Sequence, residues 1–238
     1  MSESKDSCDL VEDTKKFLTI NEPGKAFDIS EIENLQSKVN WADLPIDEGL
    51  GDRLIQQGYK RPSAIQAKVI ALASKTNILA QAQNGAGKTL AFLVPALDLI
   101  CKRNKRGGPG NKRPTVIIVV DTKALVAQIS RIVRQIVDGW TSCVVEEAYG
   151  GKPPSDSAAD MLITTLHQIK SVKESEDYGL QNTEMVIVDE ADHVFESDTS
   201  RNLFTLVFRK KLTKTCKIIF TSATMTAEFK KMISLVQE

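Results

Sequence analysis

The chain has 238 residues, 42% hydrophobic and 26% charged, with 31 Lys and Arg against 31 Asp and Glu. These proportions belong to a folded globular protein of one or two domains, and formal neutrality leaves no overall field to draw the molecule onto nucleic acid or an anionic membrane. The longest apolar run, Leu90 to Leu97, is far shorter than the roughly 20 residues that cross a bilayer, and Met1 to Asp6 lack the apolar stretch of a secretory leader, so neither membrane spanning nor secretion is expected.

Taken in chain order, residues 1–24 are polar and acidic and end in the break Asn21-Glu22-Pro23-Gly24, which reads as a flexible acidic extension. Residues 1–40 carry a net charge of −4 and the remainder +4, a mild excess compatible with nucleic-acid binding. One α/β domain over residues 25–238 follows. From Trp41 onward, apolar runs alternate with amphipathic stretches, the pattern of a mostly parallel sheet between layers of helices. The strands expected are Asn77–Ala82, Val116–Val120, Cys143–Glu147, Met161–Thr164, Met185–Val188 and Lys217–Phe220. The helices expected are Ile46–Gln57, Ser63–Ala73, Lys88–Cys101, Ala124–Val137, His167–Lys173, Ser200–Phe208 and Ala227–Gln237. Lys102 to Arg113, with six basic residues, three glycines and a proline, reads as a solvated loop rather than an RNA-contacting or partner-contacting arm, since no aromatic is interleaved to stack on a base. The four cysteines, Cys8, Cys101, Cys143 and Cys216, form no C-x-x-C pair, so no zinc site or disulfide framework is expected and a reducing compartment, cytoplasmic or nuclear, fits.

Two short segments carry chemistry. Ala82-Gln83-Asn84-Gly85-Ala86-Gly87-Lys88-Thr89 joins an expected strand to an expected helix. Gly85 and Gly87 allow backbone angles that aim successive N–H groups at phosphate oxygens, and the helix N-terminus adds positive partial charge. Lys88 is expected to reach the β- and γ-phosphates and Thr89 to hold Mg²⁺. Further on, Met185 to Val188 runs into Asp189-Glu190-Ala191-Asp192, an apolar strand ending in acids. In a parallel sheet all strands end on one edge, so Asp189 is expected beside the phosphate loop as a Mg²⁺ ligand. Glu190 is expected to orient or deprotonate the attacking water. His167 and His193 are given no catalytic role, since this chemistry needs neither.

With these motifs in place, the sequence from about Trp41 resembles the first RecA-like domain of DEAD-box ATP-dependent RNA helicases, a three-layer P-loop NTPase fold. The resemblance implies binding of ATP, Mg²⁺ and RNA. It accounts for Ala82 at the head of the phosphate loop, with Asn84, Gly85, Ala86, Gly87, Lys88 and Thr89 as its nucleotide-binding residues. Gly58-Tyr59-Lys60-Arg61-Pro62-Ser63-Ala64-Ile65-Gln66 resembles the family's Q motif, which implies that Gln66 reads the edges of adenine, with Tyr59 in the same pocket and Trp41 upstream covering the ring. An amide offers the donor and acceptor that adenine requires. Ser222-Ala223-Thr224 resembles the segment that couples hydrolysis to strand separation, and its hydroxyls are expected to bond Asp192. Gly150-Gly151 resembles an RNA-contacting turn.

The sequence departs from the family where RNA is held. Asp121-Thr122-Lys123-Ala124-Leu125-Val126 keeps Thr122 but has Lys123 where the family has arginine, which retains charge without the bidentate fork. Thr165-Leu166-His167-Gln168 keeps only Thr165 of a segment in which the family has a glycine and an arginine. Fewer phosphate contacts imply weaker, less salt-sensitive RNA binding. The family uses a second RecA-like domain bearing arginine fingers, and it is not found in this sequence. Two readings follow: the ATP-binding half of a helicase, inactive or nearly so alone, or a degenerate module whose nucleotide state regulates a protein partner. An unrelated P-loop NTPase is disfavoured by Gln66 with Trp41 upstream.

Overall fold

A computed structural model describes residues 17–21, 39–106, 114–154, 159–169, 180–208 and 215–237. Seven strands form one sheet: β1 (Phe17–Asn21), β2 (Asn77–Gln81), β3 (Val116–Val120), β4 (Val145–Ala148), β5 (Met161–Thr165), β6 (Met185–Val188) and β7 (Lys217–Ser222). Their order is β1-β2-β7-β6-β3-β5-β4 and every pairing is parallel. The helices are α1 (Glu48–Gln56), α2 (Ala64–Leu72), α3 (Lys88–Lys105), α4 (Lys123–Val137), the single turn α5 (Ala191–Val194), α6 (Asp198–Phe208) and α7 (Ala227–Gln237).

The central strands are apolar at successive positions because both sheet faces are covered. Val116, Ile118 and Val120 join one core with α1 to α4, whereas Ile117 and Val119 join the other with α6 and α7. The second core centres on Phe195, Phe204, Phe208, Phe220 and Phe229, whose neighbouring ring centroids lie 4.5 to 6.1 Å apart. Side chains alternate across a strand with period two, so each apolar run feeds both layers. This is the three-layer α/β sandwich expected, with a sheet wholly parallel rather than mostly so.

Two expectations are corrected. The acidic extension is not loose throughout, for Phe17–Asn21 forms the edge strand β1, in register with Asn77–Gln81. The basic segment is not all loop, because α3 runs on to Lys105. Lys102 meets Asp98 one turn earlier at 2.7 Å and Asn104 reaches the Ser142 carbonyl at 2.8 Å, while the helix C-terminus favours basic residues. The remainder, 107–113, lies outside the described residues. Of the expected helix His167–Lys173 the structure describes only the start, a 3-10 turn, Leu166–Gln168, followed by Ile169 in helical conformation, and 170–173 lie outside the described residues.

Candidate active site at the carboxyl edge of the sheet

Because every strand points the same way, β2, β6 and β7 deliver their following loops to one edge. The turn after β2 leads into α3, with Gly87 as its N-cap in the left-handed region at φ 90°. A Cβ there would lie 2.4 Å from Nε2 of Gln66. Lys88 is buried, and its ammonium curls back to donate to the Ala82 carbonyl at 2.6 Å and to Oδ1 of Asn84 at 3.1 Å. Thr89 follows, half-buried on the first turn. Burial pushes the Lys88 pKa down, opposed by the charges of Asp189, Asp192 and Glu190 in that order. The phosphate loop and the strand-end acids therefore share one electrostatic neighbourhood, although β7 stands between their strands.

The three acids differ in environment. Asp189 is buried, and its Oδ1 accepts from the Thr221 hydroxyl at 2.5 Å and from the Glu190 N–H at 3.0 Å. Burial raises its pKa against those bonds and the attraction of Lys88. Glu190, at φ 51° and ψ 46°, has the one positive φ among the described non-glycine residues. A glutamate held there is strained by about 1 kcal/mol or more, and such strain concentrates at functional sites. Burial and then the like charge of Asp189 raise its pKa, the direction that suits a general base.

Asp192 is bonded through Oδ2 to the Thr224 N–H at 3.0 Å and the Thr224 hydroxyl at 2.6 Å. Burial works to raise its pKa, and these bonds outweigh it, so the carboxyl titrates below its usual value. The expected hydroxyl link to Asp192 is thus made by Thr224. The hydroxyl of Ser222, which also helps to lower the Asp192 pKa, donates to the Thr224 carbonyl at 2.5 Å and accepts from its N–H at 3.1 Å, closing the turn. Oδ1 of Asp192 is buried with no hydrogen-bond partner among the described residues. That orphaned oxygen, the Asp189 carboxylate and the Thr89 hydroxyl are hard oxygen donors that fit Mg²⁺, which takes one or two carboxylates and keeps its remaining positions for water and phosphate.

The expected adenine pocket is rearranged. Trp41 is 1% exposed, packed in the core against Gly51, and its Nε1 donates to the Tyr59 carbonyl at 2.6 Å. A ring so enclosed cannot cover a base; it tethers the turn from which Tyr59 projects, half-buried. Gln66 is also buried: Oε1 accepts from the Ser63 N–H at 2.8 Å and Nε2 donates to the Gly87 carbonyl at 3.0 Å. One amide N–H and one oxygen lone pair remain for a ligand. Ser63, not singled out from sequence, caps α2 and donates to the Ala86 carbonyl at 3.0 Å, so the Q-like segment grips the phosphate loop. Its signal was legible as the capping box Ser63-x-x-Gln66. The contact of Thr221 with Asp189 had no sequence signal beyond lying next to Ser222.

The residues matched to RNA contacts gather on another shoulder of the same edge, at the ends of the adjacent strands β3, β5 and β4. Thr122 caps α4, accepting from the Leu125 N–H at 3.3 Å. Lys123 lies 4.7 Å from the centre of the Tyr149 ring, and Lys152 lies 5.6 Å from it. Gly150 and Gly151 form the turn between Tyr149 and Lys152, closed by bonds of 2.9 and 2.7 Å, with Gly151 at φ 86°. Thr165 ends β5, half-buried. Tyr149 and Lys152 were missed from sequence because neither belongs to a spaced motif.

A wholly parallel sheet whose carboxyl edge joins a glycine-rich loop and lysine to strand-end acids defines a P-loop nucleotide-binding domain. The chain belongs to the DEAD/DEAH box helicase family, whose sequence profile matches residues 63–232. It is 28% identical over 200 residues to the probable ATP-dependent RNA helicase ddx18 of Dictyostelium discoideum, covering 80% of this chain and 32% of that protein. It is 29% identical over 171 residues to the ATP-dependent RNA helicase SrmB of Escherichia coli (strain K12), covering 68% of this chain and 37% of that one. The chain thus spans about a third of the length of these curated relatives. Among solved structures it shares its fold with the DEAD-box helicase Mss116 bound to ssRNA and UDP-BeF, at 20% identity and TM-score 0.72, over 84% of this chain and 44% of that one. S. cerevisiae Dbp5 bound to RNA and ADP BeF3 gives TM-score 0.71 at 20% identity, over 84% and 50%.

Proposed function

We propose that this chain is the ATP-binding half of an ATP-dependent RNA helicase that couples nucleotide binding and hydrolysis to local RNA strand separation or remodelling of an RNA–protein complex. The observation that carries this reading is the common field of Lys88, Asp189, Glu190 and Asp192, with Thr224 bonded to the last of them. The backbone of Asn84 to Gly87 and the α3 N-terminus cradle the phosphates, and Lys88 exchanges its loop carbonyl for phosphate oxygens. Thr89 and Asp189 would hold Mg²⁺, which when bound would neutralise negative charge on the phosphates. Glu190 takes the proton of the attacking water. Gln66 reads adenine with its remaining donor and acceptor, and its bond to Gly87 transmits base identity to the phosphate loop. Asp192 and Thr224 couple this edge to RNA held by Thr122, Lys123, Gly150, Gly151 and Thr165. The protein works in a reducing compartment, cytoplasmic or nuclear, where burial keeps the Cys143 and Cys216 thiols, each pushed up to about 12, protonated.

The test is binding of a fluorescent ATP analogue to the 238-residue chain. Lys88→Ala removes charge-assisted bonds and should weaken affinity about 10- to 100-fold, whereas Glu190→Gln should bind as the wild type does. Equal affinity of all three proteins removes Lys88 from the site.

A further inference from the structure

The amino ends of β6 and β7 open onto a cavity of about 580 Å³, at the opposite edge of the sheet from the phosphate loop. Aliphatic side chains, among them Ile46, Ile70, Pro95, Leu99 and Met185, make its walls. Its rim is charged and comes partly from the basic segment that follows Cys101. Two of the rim cations are matched: Lys102 pairs with Asp98 at 2.7 Å and Arg103 lies 3.8 Å from Glu184. The other two, Arg106 and Lys217, have no side-chain ion pair or hydrogen bond among the described residues. The cavity thus joins an apolar interior, in the size range of ligand pockets, to a local excess of two positive charges.

We propose that this cavity docks an acidic peptide segment of a partner protein, with one or two aliphatic side chains inside and flanking carboxylates on Arg106 and Lys217. Charge complementarity sets the sign of the ligand, and the aliphatic walls set its class. An RNA strand is a poorer match, because among the described residues no aromatic side chain lines the cavity to stack on a base. A small inorganic anion would leave the aliphatic walls unfilled. The site stands apart from the nucleotide edge, so it would anchor a partner without competing for ATP.

The experiment is fluorescence anisotropy on the full chain with a labelled decapeptide of Asp and Glu carrying a central Leu-Leu pair. The comparison probes are the same peptide with serine for leucine and a ten-nucleotide single-stranded RNA. The leucine peptide should bind saturably in the micromolar range, and the serine peptide at least about 10-fold more weakly, a comparison that needs no variant to fold. The double variant Arg106→Glu with Lys217→Glu should weaken leucine-peptide binding by at least about 10-fold, while affinity for an ATP analogue stays as in the wild type. Absence of saturable peptide binding, equal binding of both peptides, displacement of the peptide by the RNA, or indifference to the double variant in a protein with an unchanged melting temperature would each overturn the proposal.

Discussion

Gly87 bears two constraints that separate cleanly by mutation. Its φ of 90° disfavours any side chain, and the place of a Cβ is occupied by Nε2 of Gln66 at 2.4 Å. Gly87→Ala should therefore destabilise the chain by about 1–3 kcal/mol, combining left-handed strain with displacement of the Gln66 amide. The melting temperature should fall by a few degrees to about 10 °C for a domain of this size. Gln66→Ala alone loses two hydrogen bonds, but placed on Gly87→Ala it also relieves the crowding, so its cost in the double variant should be smaller by about 0.5 kcal/mol or more. Strictly additive melting data would show that the two side chains do not compete for one space. Trp41 shows the limit of reading single residues from spacing: its distance from the Q-like segment matched a base-covering ring, yet burial of a large apolar indole won.

Between elements, Asp47 ties the start of α1 to the end of α3. Its carboxylate accepts from the Gly49 N–H at 3.1 Å and from Lys105 at 2.5 Å, and its own N–H donates to Asp98 at 2.8 Å. The hydrogen bond from Lys105 holds the Asp47 pKa below its ordinary value. A carboxyl depressed in the folded state adds stability that is present above its unfolded pKa, about 3.9, and lost as pH falls through the lower folded one. Asp47→Ala should cost about 1 kcal/mol at neutral pH as a lost cap. Urea unfolding should find that gap narrowing below about pH 4, and a gap independent of pH would detach the effect from the charge. The same joint explains why the end of α3 was illegible: the basic, glycine-rich run reads as loop, and the partners that extend the helix come from α1 and from the Ser142 carbonyl. The strand β1 was hidden for a related reason, since Phe17 to Asn21 is short, follows a polar and charged stretch and finds its partner only at Asn77–Gln81. Strands covered on both faces were legible to within a residue or two, because continuous apolar runs leave little else to form.

At the scale of the molecule, the meeting of Lys88 with Asp189 followed from topology, as a parallel sheet gathers the ends of distant strands on one edge. What the sequence could not convey was how the site is held, by the bond of Thr221 to Asp189 and the left-handed Glu190. In the proposed reading this chain supplies a phosphate loop, metal-ligand oxygens and a base, with Lys88 the cation that acts on Asp189. Phosphoryl transfer needs further positive charge on the transferring group, which an arginine finger supplies for about 10³–10⁵ in rate. Several of this chain's arginines are committed elsewhere: Arg53 to the Ile136 carbonyl, Arg134 to Glu147 and Arg201 to Asp198. Residues 1–238 should accordingly bind ATP yet release phosphate at least about 10³-fold more slowly than a longer chain in which a second RecA-like domain closes on this edge. Glu190→Gln in that longer chain should abolish turnover while leaving ATP affinity intact. Equal phosphate release by the short and long chains would mean that the described edge is catalytically complete by itself, and the division of labour between two domains would fall.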